Sequence, residues 1–189
     1  MVRVTIDESL PEDLSFITLA ALDFFVQNFM DPKAAKAVKH ITVKVDKVEG
    51  GDVAQVDAIN YPEKLAKPKK YNIVLGHKYK DIQIDRYLRT LFHEMKHIEQ
   101  YASGRLGYTK RDWDWKWLGK RWSTESEYWL QPWEQEAQGV ELSALMLFQK
   151  HFPEFRVLTG RKPKYNGRAK SGWKPLQIQP LTNPVKSKT

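Results

Sequence analysis

The chain has 189 residues, 41% of them hydrophobic and 29% charged, which suits one globular domain and excludes fibrous or wholly disordered classes. Lys and Arg outnumber Asp and Glu by 31 to 23, a formal net charge of +8, yet all 23 acids lie at or before Glu154 and 23 of the bases at or before Arg156. Residues 1–160 are therefore formally neutral, and the surplus is the tail set Arg161, Lys162, Lys164, Arg168, Lys170, Lys174, Lys186 and Lys188, so the charge does not mark the whole domain as a nucleic-acid binder.

In chain order, residues 1–6 read as a short strand. A helix is expected from Leu14 to about Met30, capped by Asp13 or Ser15 and ended by Asp31-Pro32. Its apolar face is expected to be Phe16, Leu19, Ala20, Leu22, Phe24, Val26 and Phe29. Ile41 to Val45 alternates as a strand, Glu49-Gly50-Gly51-Asp52 is a turn, Val53 to Ile59 is a weaker strand, and Tyr71 to Leu75 is the next. Asp81 to Ala102 reads as one helix, with Ile84, Leu88, Leu91, Met95, Ile98 and Ala102 at spacings of three and four. From Gly104 to Gln131 periodicity is lost and aromatics accumulate: Trp113, Trp115, Trp117, Trp122, Tyr128 and Trp129, then Trp133. Pro132 suits the first position of a helix running to about His151. Residues 160–189 have four prolines, three glycines and no acid, a composition that cannot bury enough surface to fold alone. The expected architecture is α+β: a small mixed or antiparallel sheet with an N-terminal helix, a second helix over 81–102 and a third over 133–151. Residues 1–159 form the domain and 160–189 a flexible basic tail.

With no cysteine, the chain has no disulfide, thiolate ligand or cysteine nucleophile, and any metal must be held by His, Asp or Glu. There is no apolar run of 18 residues and no signal-peptide pattern at the N-terminus, so no membrane association is expected and the expected compartment is the cytoplasm. Chemistry concentrates at His93-Glu94-Met95-Lys96-His97, an HExxH pattern inside the strongest helix. Histidines at i and i+4 project from one face and both reach one zinc ion, while Glu94 reaches a metal-bound water. The apolar stripe fixes the opposite face, leaving Arg86, Thr90, His93, Glu94, His97 and Gln100 toward a cleft. Zinc needs a third protein ligand and an open position. Gln100 and Ser103 stand where the metzincin extension requires Gly and His, and the only later histidine is His151, at the far end of the last helix. A carboxylate remains, and Glu134 and Glu136 both lie in the first turn of that helix.

Two blocks, His93-Glu94-Met95-Lys96-His97-Ile98-Glu99-Gln100-Tyr101 and Tyr128-Trp129-Leu130-Gln131-Pro132-Trp133-Glu134-Gln135-Glu136-Ala137, resemble the glutamate zincins, in which HExxH is followed by E-x-x-A on a later helix. They are most similar to metallopeptidases encoded by tailed bacteriophages, with the pattern HEM-x-H-x-x-QY and then YW-x-x-PWE-x-EA, and more distantly to minigluzincins and the ImmA/IrrE proteases. The resemblance spans residues 84–148. It implies a zincin-like fold and one catalytic zinc ion held by His93, His97 and Glu134; from the residues alone Glu136 is the alternative ligand, or else a helix N-terminal charge stabilised by the dipole. For a phage-encoded protein the cytoplasm expected above is that of the host. Some glutamate zincins carry Asp or Asn just after E-x-x-A to orient a ligand histidine; Gln138 stands there, and Gln138 or Glu141 is the candidate for that task. The implied reaction is metal-assisted hydrolysis of peptide bonds with Glu94 as general base.

Tyr128 is the candidate for stabilising the tetrahedral oxyanion. Gln100 and Tyr101 are expected to support or pack around the site. An edge strand, 71–75 or 53–59, is expected to bind extended substrate by strand addition. The tryptophans read first as packing, with a substrate wall or a stacking platform for nucleic acid as the other reading. Two rival functions use the same residues: a protease tethered to nucleic acid by the 160–189 tail, and a non-catalytic binding or virion protein stabilised by zinc.

Overall fold

The computed structural model describes residues 2–8, 10–48, 54–59, 67–77, 79, 83–109, 114–123 and 127–153. The expected turn at 49–52, Trp113 and the 160–189 tail lie outside these residues. The fold is α+β, as the order of apolar patterns implies. Its main sheet contains β1 (Arg3–Ile6), β2 (His40–Val45), β3 (Ala54–Ala58) and β4 (Lys70–Leu75) in the order β1-β2-β4-β3. The first three in that order run parallel, with Val4 opposite Ile41 and Ile41 opposite Tyr71, while β3 runs antiparallel to β4 with Val56 opposite Ile73.

The register explains burial. Ile41 and Val43 point into the core beside Tyr71, Ile73 and Leu75, all of them fully buried. β4 is paired on both sides, which removes the 71–75 segment as a substrate edge; its Ile73-Val74-Leu75 run is the continuous apolar signature of an interior strand. Of the two segments expected to offer an edge, β3 occupies that position.

Helices α1 (Glu12–Asn28) and α3 (Ile84–Ser103) pack together on this core. Phe25 stacks on Phe92 with centroids 6.0 Å apart, and Phe148 meets Phe24 and Phe92 edge-on at 5.5 and 5.8 Å. Leu14, Ile17, Ala21 and Phe25 form the buried stripe of α1, so Leu19 falls outside it and is 42% exposed. Neither Asp13 nor Ser15 caps α1: Pro11 holds the cap position with φ −55°, and Ser15 Oγ instead donates back to the Pro11 carbonyl at 2.9 Å. Proline's fixed φ starts the helix two residues earlier than the polar candidates suggest. Asp31-Pro32 ends one helix and opens another, since Asp31 Oδ1 accepts from the backbone N–H groups of Lys33 and Ala34 and caps the six-residue α2 (Pro32–Ala37).

The segment without periodicity is not irregular. It forms a second, three-stranded antiparallel sheet, β5 (Leu106–Tyr108), β6 (Trp115–Trp117) and β7 (Lys120–Trp122). A two-residue turn joins β6 to β7 with positive φ at both Leu118 (48°) and Gly119 (83°), the hairpin geometry that matches strand twist. Helix α4 (Pro132–His151) follows a single 3-10 turn at Tyr128–Leu130 and packs along α3. Among the described residues, no helix is long and apolar enough to cross a membrane.

Candidate metal centre

Helix α3 carries its apolar pattern on one side, and the two histidines come together on the side facing α4. Their rings lie 4.7 Å apart at 82°, with the Nε2 atoms 3.1 Å from each other. Pro132 at the first position of α4 starts that helix beside them and points Glu134, in its first turn, at the pair. Glu134 Oε2 lies 3.2 Å from His93 Nε2, and Glu134 Oε1 lies 3.3 Å from His97 Nε2. One ligand atom from each of the three residues falls within 4.8 Å of the others, a group that can hold a metal ion. Glu136 is absent from this group. It turns away to Arg105, Lys96 and Gln100, because neighbours two apart on a helix do not share a face.

The far nitrogens of both imidazoles face acceptors. His93 Nδ1 lies 3.3 Å from Glu141 Oε2, and His97 Nδ1 lies 2.9 Å from Gln100 Oε1. With a cation in place, each ring would keep its proton on Nδ1 and present Nε2 as the ligand atom; without one, the Nε2 atoms lie within hydrogen-bonding distance of Glu134. Glu141 thus takes the orienting position for which Gln138 was the other candidate, and Arg89 Nε holds it by donating to Glu141 Oε1 at 3.1 Å. Gln100, expected to support or pack around the site, supports His97 directly, whereas Arg89 was not singled out by sequence. Glu141→Leu is expected to weaken metal affinity by about 10–100-fold by leaving His93 unoriented, measured by chelator competition. Unchanged affinity would remove Glu141 from the site.

The electrostatics follow from burial and proximity. Burial opposes a charged His93, but Glu134 and Glu141 accept from it and Glu94 and Glu134 add negative charge, so its pKa rises to about 10. His97 is raised too, against its own burial, by Glu134 and Glu94. Burial likewise works against a charged Glu134, yet both histidines and the Tyr128 hydroxyl, which hydrogen-bonds to it, hold its carboxyl well below the usual carboxylate range. With the metal donors held this way, protons and cations compete for one position.

Glu94 is 6% exposed, and its charge lies close enough to raise both histidines. Tyr128 is half exposed and reaches the group through Glu134. Its neighbour Trp129 is 66% exposed and meets it edge-on at 5.1 Å. Three of the tryptophans serve packing, because Trp115, Trp117 and Trp122 surround Trp133 at 5.4, 6.3 and 6.1 Å. Compared with models of protein families, with curated proteins and with solved structures, the chain matches none.

Proposed function

We propose that the chain is a zinc-dependent metallopeptidase of the HExxH-plus-glutamate kind, encoded by a bacteriophage. The observation that carries the reading is the convergence of His93, His97 and Glu134 on one point with Glu94 beside it. Two imidazole nitrogens and one carboxylate oxygen form the donor set of catalytic zinc sites, which keep a further position for water or substrate. A zinc ion held there supplies Lewis acidity toward a carbonyl and toward water.

The remaining work falls to the chain itself. Glu94 is buried beside the ligand group and is not a member of it, so its carboxylate is the group we assign to accept a proton from water and return it to the leaving amine. The Tyr128 hydroxyl stands at the rim, where it can donate to a developing oxyanion on moving off Glu134. Among the described residues β3 is an outer strand of the main sheet, and an extended peptide would pair on its free side as a fifth strand. The substrate class is therefore protein or peptide in extended conformation.

The test has two readouts. Elemental analysis of purified protein is expected to give one zinc per chain, lost in the His93→Ala/His97→Ala double variant, and a peptide library is expected to be cleaved only by the zinc-loaded parent. A parent that takes up no zinc on reconstitution overturns the reading. Zinc uptake with strong stabilisation and no cleavage favours the non-catalytic binding protein instead.

A further inference from the structure

Gln100 is fully buried, and all of its side-chain polar atoms are engaged. An amide can flip to present either end, so what fixes it decides what it does. Here the Nε2 end faces two groups that only accept, the Trp133 carbonyl at 2.9 Å and Glu136 Oε2 at 2.9 Å. The Oε1 end is therefore forced onto His97 Nδ1. A flipped amide would set two carbonyl-type oxygens against it and press N–H on Nδ1, which would move the His97 proton to Nε2 and close that nitrogen to a cation.

Glu136 is itself locked. Arg105 Nη1 donates to both of its oxygens at 2.8 and 2.7 Å, and Lys96 Nζ lies 3.4 Å away. Both cations also pair with the buried Glu99, so two positive and two negative charges balance in place. Arg105 reaches this point because Gly104 ends α3 in the left-handed conformation, φ 79°, with the Arg105 N–H returned to the Gln100 carbonyl.

We propose that Gln100, clamped by Glu136 and the Trp133 carbonyl, is the positioning residue that fixes His97 as an Nε2 ligand. The inference rests on the metal-centre reading above. It gives Glu136 a task in the site without making it a ligand, and it ties the site to the turn that launches the second sheet.

The experiment uses the full chain. Zinc affinity is measured by competition with a chromophoric chelator, and zinc-loaded protein labelled with 15N is read by long-range 1H–15N correlation of its histidines. In the parent, His97 is expected to bind through Nε2 and to carry a slowly exchanging Nδ1 proton. Gln100→Leu is expected to weaken zinc binding by about 10–100-fold and to expose the His97 Nδ1 proton to exchange, while the His93 Nδ1 proton, held by Glu141, stays protected. A general loss of structure would move both. A Gln100→Leu protein that binds zinc as tightly as the parent, with His97 Nδ1 still protected, overturns the proposal. So does ligation of His97 through Nδ1 in the parent, a result that needs no variant to fold. A parent that binds no zinc defeats the metallopeptidase reading first, and this inference with it.

Discussion

On the proposed metallopeptidase function, Glu94→Gln is expected to bind zinc as the parent does and to lose peptide hydrolysis by about two to four orders of magnitude, the usual worth of a positioned general base. The amide is nearly isosteric with the carboxylate, so a side chain that is 6% exposed is replaced without a cavity. The three donors are untouched, since Glu94 is not among them. Removing its charge also removes one of the groups that raise the pKa of His93 and His97, which eases the competition of protons with the metal at both ligands. Zinc content by elemental analysis and single-turnover cleavage of a peptide that the parent hydrolyses separate binding from chemistry. Equal rates in parent and variant would reject Glu94 as the base, and loss of zinc would show that the residue shapes the site instead.

The site was legible in the sequence to the extent that its parts are local. His93 and His97 share a turn of a helix whose apolar residues recur at three and four, and Glu134 stands just inside a helix whose start is written by Pro132. What escaped depends on contacts between distant segments. Arg105 finds Glu136 only because the chain reverses at Gly104, and nothing in either residue's neighbourhood announces the other. The 71–75 and 53–59 segments each read as strands, but which one ends up interior is set by pairing with β2, a choice made across thirty residues. Strands β5 to β7 have three residues each, too few for period-two alternation to rise above the aromatic clustering around them. The six-residue α2 was hidden for a related reason, because the Asp31-Pro32 pair that stops one helix carries the same residues that start another.

Trp133→Ala is expected to cost about 3–5 kcal/mol of folding stability, a fall in melting temperature of about 10 °C for a chain of this size. The indole is 2% exposed and is the common contact of Trp115, Trp117 and Trp122, so its loss takes the apolar surface of one large ring and leaves three others facing a void. Arg105 stacks over Trp117 at 5.2 Å and holds Glu136 from the same position, which places the ionic cluster against the aromatic one. Buried Leu106 and Trp117 also tie the second sheet to the core, and the Leu118 N–H to the Arg105 carbonyl at 2.7 Å extends its β5–β6 ladder. Three-residue strands stripped of their shared aromatic contact open locally before the domain unfolds. Hydrogen exchange in the variant should therefore accelerate first at β5, β6 and β7, with the main sheet protected until global unfolding. Uniform acceleration across both sheets would mean that the second sheet does not open apart from the main one, and a melting temperature equal to the parent's would mean that the tryptophans pack without supporting the fold.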